Sequence, residues 1–115
     1  MRKLSQVKPE LIKHIFPIMV CEENLGWEPV VAEGLRTVAQ ERVKVREGNS
    51  QTMHSMHIVG RAVDIVDLRY QWEGRASSLK FKFWLDQGKC AHEEGGVTWG
   101  GDWHSFKDVA HIQLK

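Results

Sequence analysis

Apolar residues near the start of the chain recur at the spacing of a helix. Leu11, Ile15 and Met19 stand four positions apart, which places them on one face of a helix predicted for residues 8 to 24. Pro17 lies inside this segment, and we expect it to kink the helix or to end it early. The first element is therefore predicted to be an amphipathic helix with a weak point at its middle.

The rest of the pattern predicts two more helices and four short strands. The helices are predicted at residues 37 to 46 and 77 to 93, and the strands at residues 30 to 32, 62 to 68, 97 to 99 and 109 to 114. Leu79, Phe83 and Trp84 share one face of the last helix, and the strand at 62 to 68 has one buried polar position, Asp64. This order of elements predicts an α+β fold, a small and mostly antiparallel sheet with flanking helices. We expect one domain over residues 1 to 115.

Composition and charge exclude several classes of protein. The chain has 115 residues, with 16 Lys and Arg against 15 Asp and Glu and a formal net charge of +1. Without a basic stripe, we expect no nucleic-acid partner. No segment approaches the roughly 18 consecutive apolar residues of a membrane span. Charges at Lys8, Glu10 and Lys13 interrupt any signal-peptide core, so we expect the chain to be made in the cytoplasm without a signal peptide. We also expect it to be a monomer.

The two cysteines, Cys21 and Cys90, are far apart in the sequence. Neither belongs to a C-x-x-C pair, which disfavours a thiolate zinc site. For a protein made in the cytosol we expect both to be buried free thiols. A disulfide between them stays open as the alternative.

The candidate chemistry begins with His57 and Asp64, which are separated by Gly60. The glycine allows a tight turn between the loop that carries the imidazole and the strand that carries the carboxylate. A carboxylate in an apolar strand is costly to bury unless it is paired or binds a metal. His111 in the last strand offers a third ligand for a tetrahedral site with one open position. The alternative is an Asp64 that is simply paired with an arginine such as Arg61.

Asp108 stands three residues before His111 and is a candidate general base. Peptide hydrolysis needs a group that takes a proton from the attacking water and returns it to the leaving amine. Within one regular strand, residues at odd spacing point to opposite faces. The hypothesis therefore requires Asp108 to lie in the turn that enters the last strand.

Several motifs follow one another in a specific order. They are EGLRT at 33 to 37, SQT at 50 to 52, SMHIVGRAVD at 55 to 64, WGGDW at 99 to 103 and DVAHIQL at 108 to 114. In this order they resemble the VanY-like zinc D,D-peptidase family, and within it the phage endolysin branch, the L-alanyl-D-glutamate peptidases. The resemblance covers roughly residues 4 to 114.

This resemblance implies a cofactor and a set of site residues. A zinc ion, Zn2+, would be held by His57, Asp64 and His111, with Asp108 as the catalytic base. The fold would be of the Hedgehog and D,D-peptidase type. The resemblance also implies that Arg36 binds substrate and stabilises the oxyanion, for which a forked guanidinium is suited.

Ser55 is a further candidate for substrate binding or for orienting a ligand. Two positions depart from the branch, since Arg61 replaces a frequent histidine and Ala110 replaces a common proline. The loss of proline is expected to make the turn that carries Asp108 less rigid. Neither departure removes a ligand.

The resemblance implies an endolysin that hydrolyses the L-alanyl-D-glutamate bond of the peptidoglycan stem peptide. Such an enzyme would act on the bacterial cell wall after release from the host cytoplasm. Two alternatives stay open: a D-alanyl-D-alanine carboxypeptidase with the same metal centre, and a non-catalytic, zinc-stabilised wall-binding or virion domain.

Overall fold

A computed structural model describes residues 7–33, 60–72, 81–104 and 107–115 of the chain. The elements are α1 (Pro9–Asn24), β1 (Pro29–Glu33), β2 (Ala62–Asp67), α2 (Lys82–Glu94), β3 (Val97–Trp99), a short 3-10 turn (Gly100–Asp102) and β4 (His111–Leu114). The predicted α+β class is confirmed. The helix predicted at residues 37 to 46 lies outside the described residues.

Helix α1 begins where its sequence favours a start, with Pro9 in its first turn, a position at which the missing N–H costs nothing. Leu11 and Ile15 are buried as predicted, together with Ile18, whereas Met19, which was predicted for the same face, is only partly buried. The expectation that Pro17 ends the helix early was wrong, because α1 continues to Asn24. Pro17 is exposed, and the buried face stabilises the helix more than one missing hydrogen bond weakens it.

Helix α2 is shorter at its start than predicted. Phe81 is extended and the helix begins at Lys82, so a start at Ser77 was wrong. The predicted buried face is confirmed at Phe83 and Trp84, which have no exposed surface. Among the described residues, neither helix is long and apolar enough to cross a membrane.

The four strands form one antiparallel sheet in the order β1-β2-β4-β3. Strands β2 and β4 are the two inner strands, each with a paired strand on both sides. Every residue of β2 is buried. Two of these residues are carboxylates, Asp64 and Asp67, where the sequence predicted only one. Asp67 accepts hydrogen bonds from the backbone N–H groups of Glu28 (2.7 Å) and Arg69 (3.0 Å), which offset the cost of burying it.

Helices α1 and α2 are joined by a disulfide between Cys21 and Cys90, with a Cα–Cα distance of 5.8 Å. The expectation of two free thiols was therefore wrong. The two helices pack against each other, and this packing brings together cysteines that lie 69 residues apart in sequence. The spacing of cysteines along a chain does not tell which helix faces will meet.

Glu22, which directly follows Cys21 in α1, is fully buried. Neither of its carboxyl oxygens has a hydrogen-bond partner in the part of the chain that the structure describes. Burial, and then the negative charges of Asp67 and Asp86, raise the pKa of Glu22 from 4.5 to about 9. The side chain is therefore a neutral acid at neutral pH.

Replacing Glu22 with glutamine is expected to stabilise the protein above pH 7 and to change little near pH 5. Between the unfolded pKa of 4.5 and the folded pKa of about 9, the folded state keeps a proton that the unfolded state has released. Stability therefore falls as pH rises, by at most about 1.4 kcal/mol per pH unit. Thermal melts of Glu22→Gln at pH 5 and pH 8 test this, with the exposed neighbour Glu23→Gln as control. An equal shift of Tm at both pH values would contradict it.

Candidate metal centre

Strand pairing brings Asp64 and His111 together. In the register of β2 and β4 the two residues are direct partners, and side chains of direct antiparallel partners lie on the same face. His111 Nδ1 is 3.7 Å from Asp64 Oδ1, and the two residues are only 5% and 3% exposed. A buried imidazole and a buried carboxylate thus face each other across the centre of the sheet.

Asp108 approaches the same point from the turn before β4, as the hypothesis of a general base required. The predicted strand began at Val109, but β4 begins at His111, and Val109 and Ala110 form a turn. The backbone N–H of His111 donates to the carbonyl of Asp108 at 3.1 Å. This tight turn releases Asp108 from the alternation of a strand, so that its side chain lies on the same side as that of His111.

Gly100 forms the floor beneath this turn. The N–H of Asp108 donates to the Gly100 carbonyl at 3.2 Å. A Cβ at position 100 would collide with the Asp108 carbonyl oxygen and lie 3.1 Å from the Cβ of His111. The second residue of the WGGDW motif is thus a glycine because the backbone of the Asp108–His111 turn passes directly over it.

Three ligand atoms meet as a result of this geometry. One atom from each of Asp64, Asp108 and His111 lies within 4.8 Å of the others, close enough for the groups to share one metal ion or a metal and its water. Of the other residues predicted for the site, His57, Arg36 and Ser55 lie outside the described residues.

Gln113 is a site residue that the sequence analysis missed. Its side-chain oxygen lies 2.7 Å from His111 Nε2. If Nε2 carries the proton in this contact, Nδ1, the nitrogen that faces Asp64, is the unprotonated nitrogen of the ring and acts as an acceptor. Metal-bound histidines usually have such a partner on the other nitrogen. A signal was available, because residues two apart in a strand share a face.

Trp103 covers the outer side of the imidazole. Its ring centroid lies 5.0 Å from that of His111, with the planes tilted by 49°. Trp103 is partly exposed, so it forms a wall between the buried groups and solvent. Contact with an aromatic ring restricts the orientation of the imidazole.

Comparison with known proteins places this chain in a family. A family profile described as D-alanyl-D-alanine carboxypeptidase, of the M15 peptidases, matches residues 48–114. The L-alanyl-D-glutamate peptidase of Listeria phage A118 is 38% identical over 95 residues, which cover 80% of this chain. The peptidoglycan L-alanyl-D-glutamate endopeptidase CwlK of Bacillus subtilis is 26% identical over 96% of this chain and 74% of its own length. This chain spans about a third (32%) of the length of the Listeria phage relative.

Two solved structures have similar folds. The L-Ala D-Glu endopeptidase ChiX of Serratia marcescens is 31% identical, with a TM-score of 0.76 over 97% of this chain and 83% of ChiX. The LD-carboxypeptidase LdcB is 14% identical, with a TM-score of 0.69 over 99% of this chain and 62% of LdcB, and shares the fold. On the match of residues 48–114 to the family profile and the identity with ChiX, this chain belongs to the M15 family of D-alanyl-D-alanine carboxypeptidase-like peptidases.

Proposed function

We propose that this chain is a zinc-dependent peptidoglycan peptidase that hydrolyses the L-alanyl-D-glutamate bond of the stem peptide. The observation that carries the proposal is the meeting of Asp64, Asp108 and His111 at the centre of the sheet. The bond is suggested by the names of three relatives, from Listeria phage A118, B. subtilis and S. marcescens, each described as acting between L-alanine and D-glutamate. We propose that the chain acts as a monomer on the cell wall.

The donor set suits zinc. His57, Asp64 and His111 would be the protein ligands, and two neutral imidazoles with one carboxylate would leave one tetrahedral position open. The contact of His111 Nε2 with Gln113 (2.7 Å) supports this assignment, since it leaves Nδ1 to point at Asp64. When bound, zinc supplies a Lewis acid that makes water acidic near neutral pH and polarises a carbonyl.

The remaining residues would handle protons and charge. Asp108 accepts a proton from the attacking water and donates it to the leaving amine of D-glutamate. Its backbone is held by hydrogen bonds to Gly100 and from His111, so that the starting point of its side chain is fixed next to the site. Arg36 stabilises the negative charge that develops on the carbonyl oxygen, and Ser55 contacts the substrate.

Digestion of purified peptidoglycan with the zinc-loaded protein tests the proposal. We expect mass spectrometry to find peptides with new D-glutamate amino termini and muramic acid that retains L-alanine. Protein treated with a chelator should release neither, and added zinc should restore the release. Intact stem peptides after digestion with a metal-loaded, folded protein would contradict the proposal.

A D-alanyl-D-alanine carboxypeptidase is the second candidate, because the matching family profile carries that description. The chemistry at the metal would be the same and only the bond would differ. In the same digest, this activity would release free D-alanine and leave the L-alanyl-D-glutamate bond intact. The two products differ in mass, so one experiment separates the two functions.

A further inference from the structure

Gln87 is an uncharged polar residue in the middle of the buried face of α2. Like its neighbours Phe83 and Trp84, it has no exposed surface. An amide in such a position costs free energy unless its polar atoms are hydrogen-bonded. An aliphatic side chain would fill the same space without this cost, so the amide must be explained by its partners.

The side-chain nitrogen of Gln87 donates to three backbone carbonyls at the candidate metal centre. They belong to Ile65 (3.2 Å), Val109 (3.1 Å) and Ala110 (3.3 Å). Ile65 directly follows Asp64 in β2. Val109 and Ala110 are the two residues between Asp108 and His111. One amide thus binds the backbone next to all three groups of the site.

These contacts also fix the orientation of the amide. Three carbonyl oxygens surround one end of the side chain, and only an NH2 group can donate to them. The reverse orientation would place an amide oxygen against three oxygens. Because the NH2 group has two hydrogens for three acceptors, one hydrogen is shared, and the amide is held between β2 and the turn.

Two of these carbonyls have a second donor. The indole N–H of Trp99 donates to the Val109 carbonyl at 2.7 Å, and the N–H of Ile65 donates to the Ala110 carbonyl at 3.0 Å. Loss of the Gln87 amide therefore leaves both of these carbonyls with a hydrogen bond. What it removes is the pair of hydrogen bonds from α2 to Val109 and Ala110 of the turn, at a point where Ala110 places little restriction on the backbone.

We infer that Gln87 is a positioning residue, whose buried amide holds the Asp108–His111 turn against β2 and so sets the placement of the carboxylate and the imidazole at the metal centre. The inference rests on the proposed function for its effect on catalysis, but not for its effect on metal binding. A displacement of about 1 Å in an active site is enough to lower a rate about 10²-fold.

Gln87→Met tests the inference, because methionine keeps the length and volume of the side chain and removes the donor. We expect the dissociation constant for zinc, measured by competition with a chromogenic chelator, to rise by about 10-fold or more. We expect kcat for peptidoglycan hydrolysis to fall about 10²-fold, while KM changes less than about twofold. Both quantities are measured on the full chain.

Two control variants separate positioning from general effects. Gln71→Met removes an exposed amide that donates to the Leu68 carbonyl at 3.0 Å, and it should leave zinc affinity and kcat unchanged. Ile15→Val removes a buried methylene from α1 and lowers Tm without touching the turn. The inference would be overturned if Gln87→Met had the same zinc affinity and the same kcat as either control variant. If the wild-type protein releases no peptides, the proposed function fails, and zinc affinity alone decides the role of Gln87.

Discussion

Replacing Asp108 with asparagine is expected to lower the rate of peptidoglycan hydrolysis by about 10²- to 10⁴-fold, the usual contribution of a general base. Asparagine keeps the shape of the side chain but cannot take a proton. The turn that carries it is fixed by backbone hydrogen bonds to Gly100 and His111, which the substitution does not change. We therefore expect the variant to fold with an unchanged Tm and to retain one zinc per chain.

The control is Asp102→Asn, which makes the same change in the neighbouring 3-10 turn. Asp102 is exposed and lies 2.6 Å from His92 Nε2, away from the three groups of the site, so its loss should leave the rate nearly unchanged. Loss of zinc by Asp108→Asn would show that Asp108 is a ligand instead of the base. An unchanged rate with zinc retained would favour a structural zinc in a non-catalytic domain.

Removing the Cys21–Cys90 disulfide is expected to have the largest effect on stability. The bond closes a loop with a sequence separation of 69 residues, for which the chain-entropy account gives about 4 kcal/mol. In a domain of this size, that corresponds to a fall in Tm of roughly 10–20 °C. Thermal unfolding of the double variant Cys21→Ser/Cys90→Ser, followed by circular dichroism, measures the loss.

A reductant provides the matched control for this prediction. In a reductant, the wild-type protein should have the same Tm as the double variant. The Tm of the double variant itself should not change when reductant is added. The disulfide joins the two helices and lies outside the group of Asp64, Asp108 and His111, so we expect activity at 25 °C to be largely retained. The prediction would be contradicted if the wild-type protein, without reductant, contained two free thiols and if its Tm did not change when reductant was added.

Two features of the site could be predicted from short stretches of sequence: the turn that carries Asp108, and the need of Asp64 for a partner. The turn before β4 was required by the spacing of Asp108 and His111. Residues three positions apart in one strand point to opposite faces, so the two side chains can meet only if Asp108 lies outside the strand. Gln113, the partner of His111, was not predicted, although the same period of two places both side chains on one face of β4. Asp64 stood out since a carboxylate in an apolar strand requires a partner.

Contacts between segments that are distant in the sequence could not be predicted from these local patterns. The spacing of Gln87 from Phe83 and Trp84 places it on the buried face of α2, but no local rule identifies its three acceptors, which lie on two other segments of the chain. The pairing of Cys21 with Cys90 likewise depends on which faces of α1 and α2 meet. Both are properties of packing, which depends on the shapes of many side chains at once.

The sequence by itself determined the α+β class, the bounds of β3, two of the buried positions of α1 (Leu11 and Ile15) and the residues that resemble a zinc peptidase. Periodicity and motif order carry this information because both act over short stretches of chain. Only the tertiary structure decided that β2 pairs with β4 so that Asp64 faces His111, that the helices are joined by a disulfide, and that a buried amide holds the turn. Each of these requires two segments to meet in space, and a one-dimensional pattern does not specify their register.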